Sequence, residues 1–204
     1  MASTTRPRKR NPRGEGERLR AALMEATVEL LLEQGSSDKL SIRAVTSRAG
    51  VSPTALYLHF ADKEELLRAV CDDAFEELIG FLERAAAEAG DDSRLQLEAM
   101  GLAYLGFAQQ RPALYRVLFA TPGRFGSPTR PPDEDPGQRA LQALVEMTAR
   151  AAPENPDPMG TALQLWTGLH GFISLRMVMP EVASETRWPT NEQFLAELTR
   201  AHLG

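Results

Sequence analysis

The chain has little of what catalytic, secreted or membrane proteins depend on. Its 204 residues include one cysteine, Cys71, so no intrachain disulfide can form and a reducing compartment is expected. The three histidines, His59, His170 and His202, fall on different expected helices with no Cys, Asp or Glu at metal-ligand spacing, so no metal site is expected. No GxSxG, Walker or GxGxxG pattern occurs, and neither an enzyme nor a cofactor is expected. Apolar runs are broken by Gly, Gln, Arg or Pro well short of the roughly 18 residues a membrane span needs. The N-terminus also lacks the apolar core of a secretory signal, so a cytoplasmic protein without a membrane partner is expected.

What is present is distributed unevenly. Residues 1–60 hold ten Lys/Arg against six Asp/Glu, a balance of +4, and residues 61–204 hold thirteen against twenty-two, a balance of −9. A locally positive face suffices to engage phosphates, while an acidic remainder discourages aggregation and unproductive docking on nucleic acid. Residues 1–14, with Arg6, Arg8, Lys9, Arg10 and Arg13, have almost nothing to bury and read as a disordered basic arm. That arm is either a solvated tail or a segment that reaches a minor groove or the backbone of DNA.

The richest stretch is Leu40 to Leu67, LSIRAVTSRAGVSPTALYLHFADKEELL. Ser41 can cap a helix carrying Ile42, Val45 and Ala49 at three- and four-residue spacing. Gly50 stands where the chain leaves that helix, a position that favours a residue without a Cβ. Ser52 and Pro53 supply the N-cap and first residue of a very short second helix. Leu56 and Phe60 can face the first helix's stripe, leaving Thr54, Ala55, Tyr57 and His59 open to a partner. Asp62 to Glu65 reads as a capping box that opens a long helix expected to reach Ala89. Two short helices about a glycine turn, with exposed polar side chains, make a helix-turn-helix.

Ala49-Gly50-Val51-Ser52, Leu56-Tyr57-Leu58-His59-Phe60 and Lys63-Glu64-Glu65-Leu66-Leu67 resemble the N-terminal domain of TetR-family transcriptional regulators. The resemblance spans roughly residues 18–70 and departs from the family pattern at Leu40-Ser41-Ile42 and Val45-Thr46. Thr46 stands where a small residue is usual. Either the helix crossing opens slightly there or the hydroxyl bonds back to a carbonyl one turn earlier. The resemblance implies phosphate contacts from Tyr57, His59 and Lys63, phosphate or base contact from Thr54, and base-edge contacts from Arg43 and Ala55. Ser41 and Ser52 can either cap or donate to phosphate. It further implies a homodimer on a double-stranded DNA operator of inverted-repeat form, most simply a repressor, although the same fold permits activation.

The remainder reads as helices too, giving an all-α chain of about nine: an arm at 1–14, a DNA-binding domain at 15–61 and an effector-binding and dimerisation domain at 62–204. A bracing helix is expected from Glu15 to Gln34, and others from Ser93 to Gln110, from Pro112, from Gln138 to Ala151, from Pro158 to Met179 and from Asn191. Thr121 to Gly137 reads as a loop. The Pro158 helix is apolar on nearly every face, and Gly168 and Gly171 would let another helix approach closely. Trp166, His170 and Gly171 are similar to a C-terminal domain in one subset of the family. Met100, Tyr104, Phe107, Tyr115, Phe119, Trp166 and His170 are candidates for a small-molecule effector pocket, with a simple core stripe as the alternative. No acidic residue stands among them, which disfavours a cationic effector. Leu169, Phe172, Ile173, Phe194 and Leu198 are candidates for the dimer surface. The rival to the regulator is a helical ligand-binding or interaction module without specific operator binding, with Thr46 as the lesion.

Overall fold

The computed structural model describes residues 15–120, 130–179 and 188–203, so the basic arm at 1–14 lies outside the described residues. Among them every regular element is helical, with nine α-helices and two 3-10 turns. Residues up to Val70 and residues from Cys71 pack as two compact units, a division that falls inside the fourth helix.

The N-terminal unit contains α1 (Glu15–Gln34), a 3-10 turn (Ser37–Lys39), α2 (Ile42–Arg48), α3 (Pro53–Leu56) and the opening turns of α4 (Lys63–Glu88). Local chemistry sets these bounds. The Ser41 hydroxyl accepts the Ala44 amide at 3.2 Å and the Ser52 hydroxyl accepts the Ala55 amide at 3.3 Å, each satisfying an orphan donor of the helix it opens. Gly50 takes φ +69°, the left-handed conformation that turns the chain between α2 and α3. Asp62 caps the Glu65 amide at 2.7 Å, as the capping-box reading expects. The return bond differs, because the Glu65 carboxylate accepts from the Ala61 amide at 2.6 Å, one residue before the cap. α1 packs on α2, and α2 on α3. Leu23, Val45, Leu56 and Phe60 are all at or below 2% exposed and form the core of this unit, with Ile42 and Ala49 of the α2 stripe half-buried at its edge.

The C-terminal unit holds the rest of α4, then α5 (Ser93–Gln110), α6 (Pro112–Ala120), a 3-10 turn (Pro132–Glu134), α7 (Pro136–Ala151), α8 (Pro158–Val178) and α9 (Asn191–Leu203). α5 lies at the centre and packs on α6, α7, α8 and α9. α9 opens on a full capping box, Thr190 accepting from the Gln193 amide at 3.2 Å and Gln193 from the Thr190 amide at 3.0 Å. α7 begins two residues before the expected Gln138, because Asp135 accepts the Gln138 amide at 3.1 Å and Pro136 serves as the first helical residue. The expected loop is therefore shorter by that turn and by the 3-10 turn, while residues 121–129 lie outside the described residues. α4 and α8 each end one residue before the expected limit.

Gly168 meets its expectation: a Cβ there would lie 2.8 Å from a Leu198 methyl, so α9 reaches the α8 backbone closely. At Gly171 a Cβ would meet nothing within 4 Å inside the protomer, so among the described residues no helix covers it. Cys71 is buried, its thiol 3.9 Å from the Val117 carbonyl. Two fully buried threonines turn their hydroxyls onto their own helices, Thr27 donating to the Leu23 carbonyl at 2.7 Å and Thr148 to the Leu144 carbonyl at 2.8 Å.

Candidate nucleic-acid interface and ligand cavity

The face expected to meet DNA is built around α3. Leu56 and Phe60 point into the core, which turns Thr54 and Tyr57 outward; Tyr57 is 55% exposed, and Ala55 and His59 are half-buried. Arg43 is exposed on α2 and, among the described residues, forms no salt bridge. Arg48, one α-helical turn and a little further on, is different. Its guanidinium bonds Glu29 at 2.9 Å and Glu33 at 2.7 Å, ties α2 to α1, and has its proton held more tightly by those two carboxylates. Ser41 and Ser52 accept amides with their oxygens, which leaves each hydroxyl proton available for a phosphate oxygen, so capping and phosphate contact are compatible.

Two of the expected phosphate ligands have protein neighbours in this state. The Lys63 ammonium donates to the Ser37 carbonyl at 3.4 Å, and the His59 ring edge lies against Gly16 at the start of α1. Thr46 adopts the second of its two expected solutions. It is 2% exposed, and its hydroxyl donates to the Ile42 carbonyl at 3.0 Å with the Arg43 carbonyl 3.2 Å away. Sequence reasoning passed over Leu58, which is 73% exposed between Tyr57 and His59; its only signal was that position.

The C-terminal unit encloses a cavity of about 70 Å³. Of the seven effector-pocket candidates, Met100, Tyr104, Phe119 and Trp166 line it. Phe107 is fully buried and packs edge-on against Phe81 with ring centres 5.4 Å apart, so it belongs to the core. Tyr115 and His170 stand behind the wall. The Tyr115 hydroxyl lies 2.7 Å from Nδ1 of His170, and Nε2 of the same ring lies 3.4 Å from the Ser174 hydroxyl. Burial pushes the His170 pKa below its ordinary value, so the ring is neutral, with one nitrogen able to donate and the other to accept within this network. Tyr104 joins this network at the cavity wall, 3.3 Å from Nδ1 and 3.4 Å from the Tyr115 hydroxyl, and accepts the Trp166 indole N–H at 3.3 Å. Burial, then the neighbouring Tyr115, raises the Tyr104 phenol, and burial raises Tyr115. Leu78, Leu97, Ala140, Leu144, Leu165 and Thr199 complete much of the lining; as small or aliphatic residues they carried no signal distinguishing wall from core.

This network contributes to the pH dependence of stability. Above the ordinary histidine value of about 6.5 His170 is neutral folded or unfolded. As pH falls below it, the unfolded chain binds a proton that the folded chain refuses, so stability drops until the folded pKa is reached. In alkali, stability declines above about pH 10, where the unfolded phenols ionise before the raised Tyr104 and Tyr115 do. Melting temperatures from pH 5 to 7 should slope upward in the parent and less in a His170→Asn variant; equal slopes would remove His170 as the source.

The dimer candidates occupy the protomer's own interior. Leu169, Phe172 and Ile173 are at most 6% exposed, Phe194 stacks on Phe172 with ring centres 4.1 Å apart, and Leu198 packs over Gly168. The face α8 leaves open is instead the stripe Leu163, Thr167, Gly171, Leu175 and Val178, at the three- and four-residue spacing of one helical face.

Residues 23–70 match the family model described as bacterial regulatory proteins of the tetR family, and residues 97–197 match the tetracyclin repressor-like C-terminal domain. An HTH-type transcriptional regulator of Mycobacterium tuberculosis is 30% identical, the alignment covering 87% of each chain. A solved Rhodococcus protein of unknown function is 25% identical with a TM-score of 0.71, covering 96% of this chain and 100% of that one. SmeT, the repressor of the Stenotrophomonas maltophilia multidrug efflux pump SmeDEF, shares the fold at 20% identity and a TM-score of 0.64, over 91% of this chain and 90% of its own. The chain belongs to the TetR family of DNA-binding helix-turn-helix transcriptional regulators, and is not an enzyme.

Proposed function

We propose that this regulator is a repressor that binds an inverted-repeat operator as a homodimer and leaves it when a small molecule enters the cavity of the C-terminal unit. The observation that carries the DNA reading is the outward constellation of Arg43, Thr54 and Tyr57 about α3, flanked by serines whose caps leave a proton to give. Arg43 suits a bidentate contact to guanine and the Ala55 methyl a thymine methyl; Tyr57, His59, Lys63 and Ser52 hold phosphates. Lys63 exchanges the Ser37 carbonyl for a phosphate on binding, a stronger, charge-assisted partner. Thr46, satisfied within α2, lends the module without an operator no support.

Two half-sites require two recognition helices at a fixed spacing, and the open apolar stripe of α8 offers the self-complementary face for a second copy. An effector then acts by shifting that spacing, since both half-sites must be met together.

Selection of tight-binding sequences from a random duplex pool near physiological salt is the direct test, and an inverted repeat should be enriched. On that operator Tyr57→Phe and Lys63→Ala should each weaken binding, and Lys63→Ala, which removes a charge, should also flatten the plot of log affinity against log salt by ~0.9. Absence of any enriched sequence would leave the rival module standing; unchanged affinity in Tyr57→Phe would unseat Tyr57, and unchanged affinity and slope in Lys63→Ala would unseat Lys63.

A further inference from the structure

The effector reading leaves the ligand's chemistry open, but the wall of the cavity narrows it. From Leu97 to Tyr104 the lining follows α5 for two turns, about 10 Å. One end, around Leu97, Met100, Leu144 and Leu165, is wholly aliphatic. The other end carries the Tyr104 hydroxyl and the Trp166 indole N–H. Among the described residues no Lys, Arg, His, Asp or Glu lines the space.

At the polar end, hydrogen-bonding capacity is unevenly used. Nδ1 of His170 is engaged by Tyr115 at 2.7 Å, and whether it accepts there or donates, it offers no free lone pair to the Tyr104 proton. The Tyr104 oxygen already accepts the Trp166 proton at 3.3 Å, and its own proton finds only the Tyr115 oxygen at 3.4 Å. That separation is long for an O–H···O bond, whose usual length is about 2.7–2.8 Å. Tyr104 therefore presents a poorly engaged donor on the wall of an otherwise apolar cavity. A carboxylate entering there would lose its hydration without meeting a cation, and an ammonium without meeting an acceptor of opposite charge; both costs exceed what one neutral hydrogen bond returns.

Resting on the effector reading above, we infer that the cavity takes an uncharged, predominantly apolar carbonyl compound, a ketone or ester whose oxygen accepts the Tyr104 hydroxyl proton and whose hydrocarbon body lies toward Leu97 and Leu144. Tyr115 and His170 hold the Tyr104 hydroxyl at the cavity wall, and the carbonyl oxygen draws its proton away from the long Tyr115 contact.

The test compares four probes of one chain length at pH 7 by calorimetry and thermal shift on the full chain: 2-octanone, octane, octanoate and octylammonium. 2-Octanone should bind tightest, octane about fivefold to tenfold more weakly, and the two ions not measurably. Tyr104→Phe, which keeps the ring and its packing, should bring 2-octanone down to octane while leaving octane unchanged. Leu144→Trp, which fills the apolar end, should abolish binding of both. Tighter binding of octanoate or octylammonium, abolished in Leu144→Trp, would overturn the carbonyl assignment and leave the effector cavity intact, as would a Tyr104→Phe protein that still prefers the ketone. If no probe binds in the parent chain, the effector cavity falls, and this inference with it.

Discussion

Phe60→Ala should cost the N-terminal unit about 3–5 kcal/mol, the range for truncating a fully buried phenylalanine. Phe60 is 2% exposed, closes the core over which α2 and α3 are held, and carries the Arg20 guanidinium 5.3 Å from its ring centre. Whole domains are stable by only about 5–15 kcal/mol, so the substitution should lower the melting point sharply and remove operator binding with it. Tyr57→Ala, three positions earlier, should do the reverse. At 55% exposure its truncation should change stability by no more than about 0.5 kcal/mol while binding to DNA collapses. Melting curves and DNA titrations of the two variants separate scaffold from recognition surface; a Tyr57→Ala protein that melts as early as Phe60→Ala would mean that Tyr57 is a packing residue.

The second large effect belongs to Phe107, whose truncation should cost about 3–5 kcal/mol, with up to ~1.5 kcal/mol more from removing the edge-to-face pairing. The residue is fully buried against Phe81, with no surface on the cavity. Phe119 is its counterpart: half-buried, on the cavity wall, its ring centre 4.2 Å from that of His170. Phe119→Ala should therefore weaken ligand binding more than it lowers stability, and Phe107→Ala the opposite. Denaturant midpoints set beside ligand affinities read this out, and a Phe107→Ala chain of parental stability that no longer binds ligand would return Phe107 to the pocket.

The contrast between these pairs marks where the sequence was informative. Helix starts were legible because a cap is a local device: Ser41, Ser52 and Asp62 each bond an amide within three residues, so identity and spacing suffice. The buried sides of α1, α2 and α3 were legible from period alone. α7 began early because Asp135-Pro136-Gly137 carries turn residues that serve equally as a cap and first turn, and only the tertiary setting chooses between the two. The cavity was half legible. Tyr104, Tyr115 and His170 share one hydrogen-bonded group, but which of the three faces the void depends on the rotation of α5 and α8 about their axes, a property of packing. Aliphatic wall residues such as Leu97 and Leu144 look like any core leucine. The dimer candidates show the same limit, since α8 is apolar on both its buried and its open side, and hydropathy does not say which side the protomer has already covered.

Thr27 and Thr148 hold one more consequence. Each is fully buried, and each bonds only a carbonyl of its own helix. Those carbonyls keep their backbone partners when the hydroxyl is removed, so a valine leaves no group unsatisfied and discards a polar atom from the interior. One such position lies in each compact unit, and neither side chain lines the cavity or the recognition face. The protein thus contains two separate stability controls, one for the half that reads DNA and one for the half that encloses the cavity, and an engineer could set either without redesigning a binding surface.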